Sequence, residues 1–183
     1  MVATVADAVP AGHWPYRLLF LALAALSLFV RLLPLGNVPS VWPGIDLLLC
    51  LTFAWVLRRP DYVPALLILL VFLVEDMLTL RPPGLWAAIV VLGTEFLRNR
   101  EPLTRELPFA LEWAMVAAVA LGMMLANRMV LAITVTPQPG FATSFLQSVL
   151  TILAYPAIVG FSRLLFGLRK SATGEVDARG RRL

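Results

Sequence analysis

Apolar residues fall in six long runs along this chain, Tyr16–Leu35, Trp42–Leu57, Tyr62–Leu80, Gly84–Leu97, Phe109–Val135 and Phe141–Leu168, separated by short polar gaps. A helix needs about 20 apolar residues to cross a bilayer, so the pattern predicts six spanning helices over 16–35, 42–57, 62–80, 84–97, 109–135 and 141–168. Two stretches, Ile45–Leu57 and Leu85–Leu97, are short, each giving about 20 Å of helix against a hydrocarbon core of about 30 Å. They must extend through their flanks, thin the bilayer or be shielded by longer neighbours. A re-entrant pair is the alternative, and it would make the charge pattern accidental.

That charge pattern sets the orientation. Twelve of the fifteen basic residues lie in every second gap. Arg17 heads the first run, Arg58 and Arg59 follow the second, Arg98, Arg100 and Arg105 follow the fourth, and Arg163, Arg169, Lys170, Arg179, Arg181 and Arg182 close the chain. The gaps Gly36–Val41 and Thr136–Gly140 hold no base, and Arg81–Pro83 holds one. Loops rich in Lys and Arg stay cytoplasmic, so both termini are expected inside, with residues 1–168 forming one transmembrane domain of a bacterial inner-membrane protein. Residues 169–183 are polar and basic and are expected to be a disordered cytoplasmic tail that anionic lipid attracts.

Composition agrees. A chain of 183 residues that is 60% hydrophobic and 14% charged, with mean hydropathy +0.86, cannot hide its apolar surface in a water-soluble core. The pI near 10 reflects topological placement of bases rather than nucleic-acid binding. Met1–Pro15 has an acid and no base, unlike a cleavable signal. Cys50 is alone, so no internal disulfide forms, and packing is its ordinary role. Trp14, Tyr16, Trp55, Tyr62 and Trp113 are expected near the inner surface and Trp42 and Trp86 near the outer one; Tyr155 is the exception, inside the last run. Pro64 and Pro108 sit at helix starts, where a missing N–H is harmless, and Pro156 is expected to kink its span.

Six charges within or beside the apolar runs share one level. Arg31, Asp46, Glu75, Asp76, Arg81 and Arg128 all fall towards the outer side of the expected bundle. A charge facing lipid near mid-bilayer costs at least ~2.5–3.5 kcal/mol, so internal pairing or an aqueous cavity is expected, with Arg31 near Asp46 or Glu75. The plain alternative is that several are interfacial and wet, Arg81 and Arg128 above all, with Arg31 and Arg128 snorkelling. In the fifth run Ala110, Ala114, Ala118, Gly122 and Ala126 recur every four residues and form a small-residue stripe that lets helix backbones approach closely. Packing inside the bundle is the expected use, with another protein as the alternative; Met123 and Met124 beside it read as packing filler.

Signs of catalysis are sparse. The single His13 lies outside the runs, which removes His-rich zinc sites and triads from the bundle, and no Gly-rich phosphate loop occurs. Glu75 and Asp76 diverge by about 100 degrees on a helix and do not share one site. No catalytic residue, metal site or cofactor is expected, and the chain reads as a non-enzyme.

Pro43-Gly44-Ile45-Asp46 opens the second run, Trp55-Val56-Leu57-Arg58-Arg59-Pro60-Asp61 closes it, Val74-Glu75-Asp76 ends the third, and Pro82-Pro83-Gly84-Leu85 opens the fourth. This order resembles the rod shape-determining membrane protein family MreD over about Pro43 to Leu85; the first, fifth and sixth runs agree in hydropathy alone. Gly44 stands where that family often has proline directly before aspartate, the third run lacks the glycines common there, and its acid is doubled. The resemblance implies a fold similar to the substrate-binding subunits of energy-coupling-factor vitamin transporters. It further implies a scaffold of the cell-elongation machinery that binds the MreC-like periplasmic scaffold, and through it the elongation-specific transglycosylase and transpeptidase. Arg31, Asp46, Arg58, Arg59, Glu75, Asp76, Arg81, Ala114, Ala118, Gly122 and Ala126 are the expected structural or partner-binding residues. The alternative is the substrate-binding membrane subunit of a small-molecule transporter, against which the outer loops look short and poor in polar residues.

Overall fold

The structure, a computed structural model, describes residues 14–33, 44–104 and 108–166, without the side chains of 101–104 and 165–166. His13, the gap at 36–41, Trp42, Pro43, Arg105 and the tail at 169–183 lie outside the described residues. Among these residues six helices follow one another: α1 (Trp14–Leu32), α2 (Leu47–Arg58), α3 (Ala65–Leu78), α4 (Leu85–Thr104), α5 (Phe109–Ile133) and α6 (Phe141–Phe166), with a 3-10 turn at Pro60–Tyr62. No strand occurs among the described residues.

Local chemistry explains the boundaries. Asp46 caps α2 by accepting the Leu49 N–H at 3.0 Å, the interaction that makes Asp a favoured helix start. Pro64 and Pro108 precede α3 and α5 with φ near −60° and extended ψ, at positions where the missing N–H has no helical partner. Helices α3 and α5 end alike. Leu80 and Val135 take φ of 54° and 51°. Past them, the N–H of Arg81 reaches the Asp76 carbonyl and that of Thr136 the Leu131 carbonyl, each at 3.0 Å. Both are left-handed caps that usually take glycine.

Three helices, Trp14–Leu32, Phe109–Ile133 and Phe141–Leu164, are long and apolar enough to cross a membrane. Large apolar side chains such as Leu26, Phe29, Leu92, Ile133 and Leu164 are exposed on the bundle surface, which suits lipid and not water. Helices α2 and α3 have 12 and 14 residues, about 18 and 21 Å of rise. Of the two expected short segments, only the first is short. The fourth helix continues past Leu97 to Thr104, because the charged residues beyond it still interact at helical spacing: Arg98 Nε lies 3.4 Å from Glu95 Oε1, and Arg100 covers the Phe96 ring at 4.6 Å.

Helix α2 is the hub. It packs on α1, α4 and α6, while α3 lies against α4 and α5 against both α4 and α6. Every residue from Leu48 to Arg58 is buried, so this short helix is shielded by its longer neighbours. Trp55 sits in the middle of the core with 0% exposure, its ring against Phe20. Trp55, in the last turn of α2, thus turns its indole into the packed helices and away from the bundle surface. Helix α1 is peripheral, burying only Phe20, Ala24 and Leu28, one residue per turn. Pro156 stands inside α6, which is continuous through it.

Candidate functional site

Successive helices run in opposite directions and gather the polar residues at two ends. At one end lie Arg31, Asp46, Glu75, Asp76, Arg81 and Arg128; at the other lie Arg17, Arg58, Arg59, Arg98, Glu112 and Tyr155. We call these the Arg31 end and the Arg17 end.

At the Arg31 end, Glu75 of α3 is fully buried and forms an ion pair with Arg31 of α1. Arg81 Nη1 lies 3.9 Å from the same Oε1, so one carboxylate draws two guanidinium groups. Arg31 therefore meets Glu75, and Asp46 has no ion-pair partner within 4 Å among the described residues. The adjacent Asp76 does a different job. Its Oδ2 accepts the N–H groups of Gly84 and Ala87 at 3.0 and 3.2 Å, satisfying donors at the start of α4 that a helix cannot satisfy itself. The doubled acid is thus one ion-pairing residue and one cap, on faces about 100 degrees apart. Asp46 also ties α2 to α6, donating its backbone N–H to Thr151 Oγ1 at 3.1 Å.

Beside Asp46, Arg81 and Thr151 lies a cavity of about 530 Å³. The start of α2, the α3–α4 turn, the C-terminal half of α5, the α5–α6 loop and α6 form its wall, with Asp46, Arg81, Asn127, Arg128, Gln147 and Thr151 among its polar lining. Arg128 Nη1 donates to the Pro139 carbonyl at 2.9 Å and to Ser144 Oγ at 3.2 Å, and its guanidinium covers the Phe141 ring. Arg81 covers Trp86 in the same way. Arg81 and Arg128, for which a wet interfacial position was the alternative, both line this cavity.

At the Arg17 end, Arg58 is 1% exposed, so it belongs to the bundle rather than to a solvated basic turn. Its Nη2 lies 3.1 Å from Glu112 Oε1. Tyr155 donates its hydroxyl to that same Oε1 at 2.8 Å, and Arg58 Nη1 donates to the Ala54 carbonyl at 3.2 Å. This network joins α2, α5 and α6. Each charge occupies the helix end that its sign favours, Arg58 in the last turn of α2 and Glu112 in the first turn of α5. Arg59 stays at the rim, its guanidinium over the Tyr62 ring. Neither Glu112 nor Tyr155 stood out in the sequence as a site. The signals were a lone acid at the start of an apolar run and a tyrosine away from both interfaces.

The small-residue stripe is placed differently from expectation. Ala110, Ala114, Ala118, Gly122 and Ala126 are all exposed, and a Cβ built on Gly122 would meet nothing within 4 Å. Internal packing on the stripe is thereby corrected: α5 buries the opposite residues, Glu112, Val116, Ala120, Met123, Met124 and Leu131. The close α4–α5 approach instead uses Gly93, where a Cβ would stand 2.5 Å from Met123 Sδ. Part of the stripe, Ala118, Gly122 and Ala126, forms one side of a surface groove whose other side is Leu92 and Phe96, with Arg100 also lining it.

No protein-family model, curated protein or solved structure matches this chain.

Proposed function

We propose that the chain is a six-pass, non-enzymatic scaffold of the bacterial inner membrane, of the kind its MreD-like segment implies, with both termini in the cytoplasm. It would hold an MreC-like partner helix and, through it, the wall synthases of the elongation complex. The observation that carries the reading is the exposed stripe at Ala114, Ala118, Gly122 and Ala126. In lipid a small-residue face lets another helix backbone approach closely, and no helix among the described residues covers it. The two buried ion networks support the same reading, because they stiffen the frame on which such a face is presented.

One observation favours a second reading. The polar cavity at the Arg31 end, lined in part by the α3–α4 and α5–α6 turns, is what a small-molecule capture subunit requires.

Cell shape separates the two. Deleting the gene should turn rod-shaped cells round. A Gly122→Leu chain that inserts and folds normally should fail to restore the rod. Cells that keep their shape but need a supplied nutrient would overturn the scaffold and favour capture. Orientation is checked by impermeant thiol labelling in a Cys50→Ser background. Leu80→Cys, at a position 95% exposed, should label from outside and Asp61→Cys only after lysis; the reverse would overturn the inside placement of both termini.

A further inference from the structure

Two charges in the Arg31-end cavity are left without an opposite charge. Asp46 is 5% exposed and lines the cavity. Its Oδ1 accepts one backbone N–H, and no cation lies within 4 Å of it among the described residues. Arg128 lines the same cavity, held by a carbonyl and a hydroxyl with no carboxylate among the described residues. Asp46 is the buried one of the two, and an isolated buried ion costs several kcal/mol unless it is compensated; Arg128 is half-buried, and ionisable groups at membrane depth mark ligand or ion paths. These two do not compensate each other by contact, so a partner carrying both signs is the economical solution.

The hydroxyls refine the choice. Thr79, Ser148 and Thr151 donate to the carbonyls of Glu75, Ser144 and Gln147 at 2.7, 3.0 and 2.8 Å. Their hydrogens are committed, and they offer the cavity only lone pairs. The cavity thus has acceptors in Asp46, Ser148 and Thr151, and donors in Arg81, Asn127, Arg128 and Gln147. Leu49, Leu85, Met124 and Leu131 supply an apolar share. A volume of about 530 Å³ lies within the range of ordinary ligand sites, about 300–1,000 Å³. A simple anion would meet Asp46 as a like charge, and a simple cation would meet Arg81 and Arg128.

We infer that this cavity binds a zwitterion, with its anionic oxygens at Arg81 and Arg128 and its ammonium at Asp46. An ethanolamine phospholipid headgroup and a soluble amino-phosphate offer the same chemistry. The site stands independently of the scaffold reading, since it is tested on the purified chain without partners.

The test measures lipid retention by native mass spectrometry, together with thermal unfolding, on the full chain in detergent. The probes are phosphatidylethanolamine and phosphatidylglycerol of equal acyl length, with free phosphoethanolamine as competitor. Wild type should prefer the ethanolamine lipid by roughly tenfold, equivalent to about 1.4 kcal/mol. Asp46→Asn keeps an N-cap residue but loses the charge, and should bind both lipids equally. Ser148→Leu fills the cavity and should lose both without lowering the unfolding midpoint of the lipid-free protein. Displacement by free phosphoethanolamine would identify a soluble zwitterion as the source; failure to displace would identify the lipid. Equal affinity of wild type for the two lipids, or a preference that survives Asp46→Asn or Ser148→Leu, would overturn the inference.

Discussion

Replacing Glu112 by glutamine should destabilise the protein by about 3–5 kcal/mol, the range for removing one partner of a buried ion pair. Glutamine has nearly the same shape, so the loss is electrostatic. The Arg58–Glu112 separation of 3.1 Å corresponds to about 5 kcal/mol of attraction at an effective dielectric constant of about 20. Both side chains are 1% exposed, so water cannot replace the lost charge. Tyr155→Phe removes one hydrogen bond to a charged oxygen, at 2.8 Å, and should cost about 1.5–3 kcal/mol. The double variant Arg58→Met with Glu112→Leu should lose less than Glu112→Gln alone, because no ion is left stranded. The assay is reversible unfolding in mixed micelles, followed by tryptophan fluorescence. If the Arg58→Met and Glu112→Leu losses add to that of the double variant within about 0.5 kcal/mol, the two groups are energetically independent. The account of α2, α5 and α6 as joined by charge would then fail.

Two further outcomes are expected from the same unfolding assay. Gly93→Leu should cost about 1–3 kcal/mol by overpacking against Met123, whereas Gly122→Leu should stay within about 0.5 kcal/mol of wild type, as surface changes do; the opposite order would mean the stripe and not Gly93 packs the bundle. Val135→Gly should stabilise by about 0.5–1 kcal/mol, since relief of a left-handed conformation worth about 1–2 kcal/mol outweighs the extra backbone entropy of glycine; a loss would show that the Val135 side chain matters more than its backbone.

The hydropathy blocks alone determine that the chain is helical and built for a membrane, because apolar runs of this length leave the backbone no partner but itself. The single-residue signals at helix starts were equally legible: Asp46, Pro64 and Pro108 act on neighbours one turn away, within the reach of local sequence. Run lengths were less reliable, since α4 continues through Arg98 and Arg100, where hydropathy falls but helical side-chain pairing persists. The Arg31–Glu75 pair was foreseeable from depth, as both charges sit near the same end of parallel helices. What remained hidden depended on rotation. Whether α5 turns its alanines or its Val116–Ala120–Met123 face inward is decided by all the contacts with α4 and α6 together. The same rotation carries Glu112 to Arg58 and Tyr155, and aims Arg128 at the cavity instead of the lipid. In a helix nearly apolar all round, the sequence has no polar side to fix that angle, so only the packed bundle could choose it.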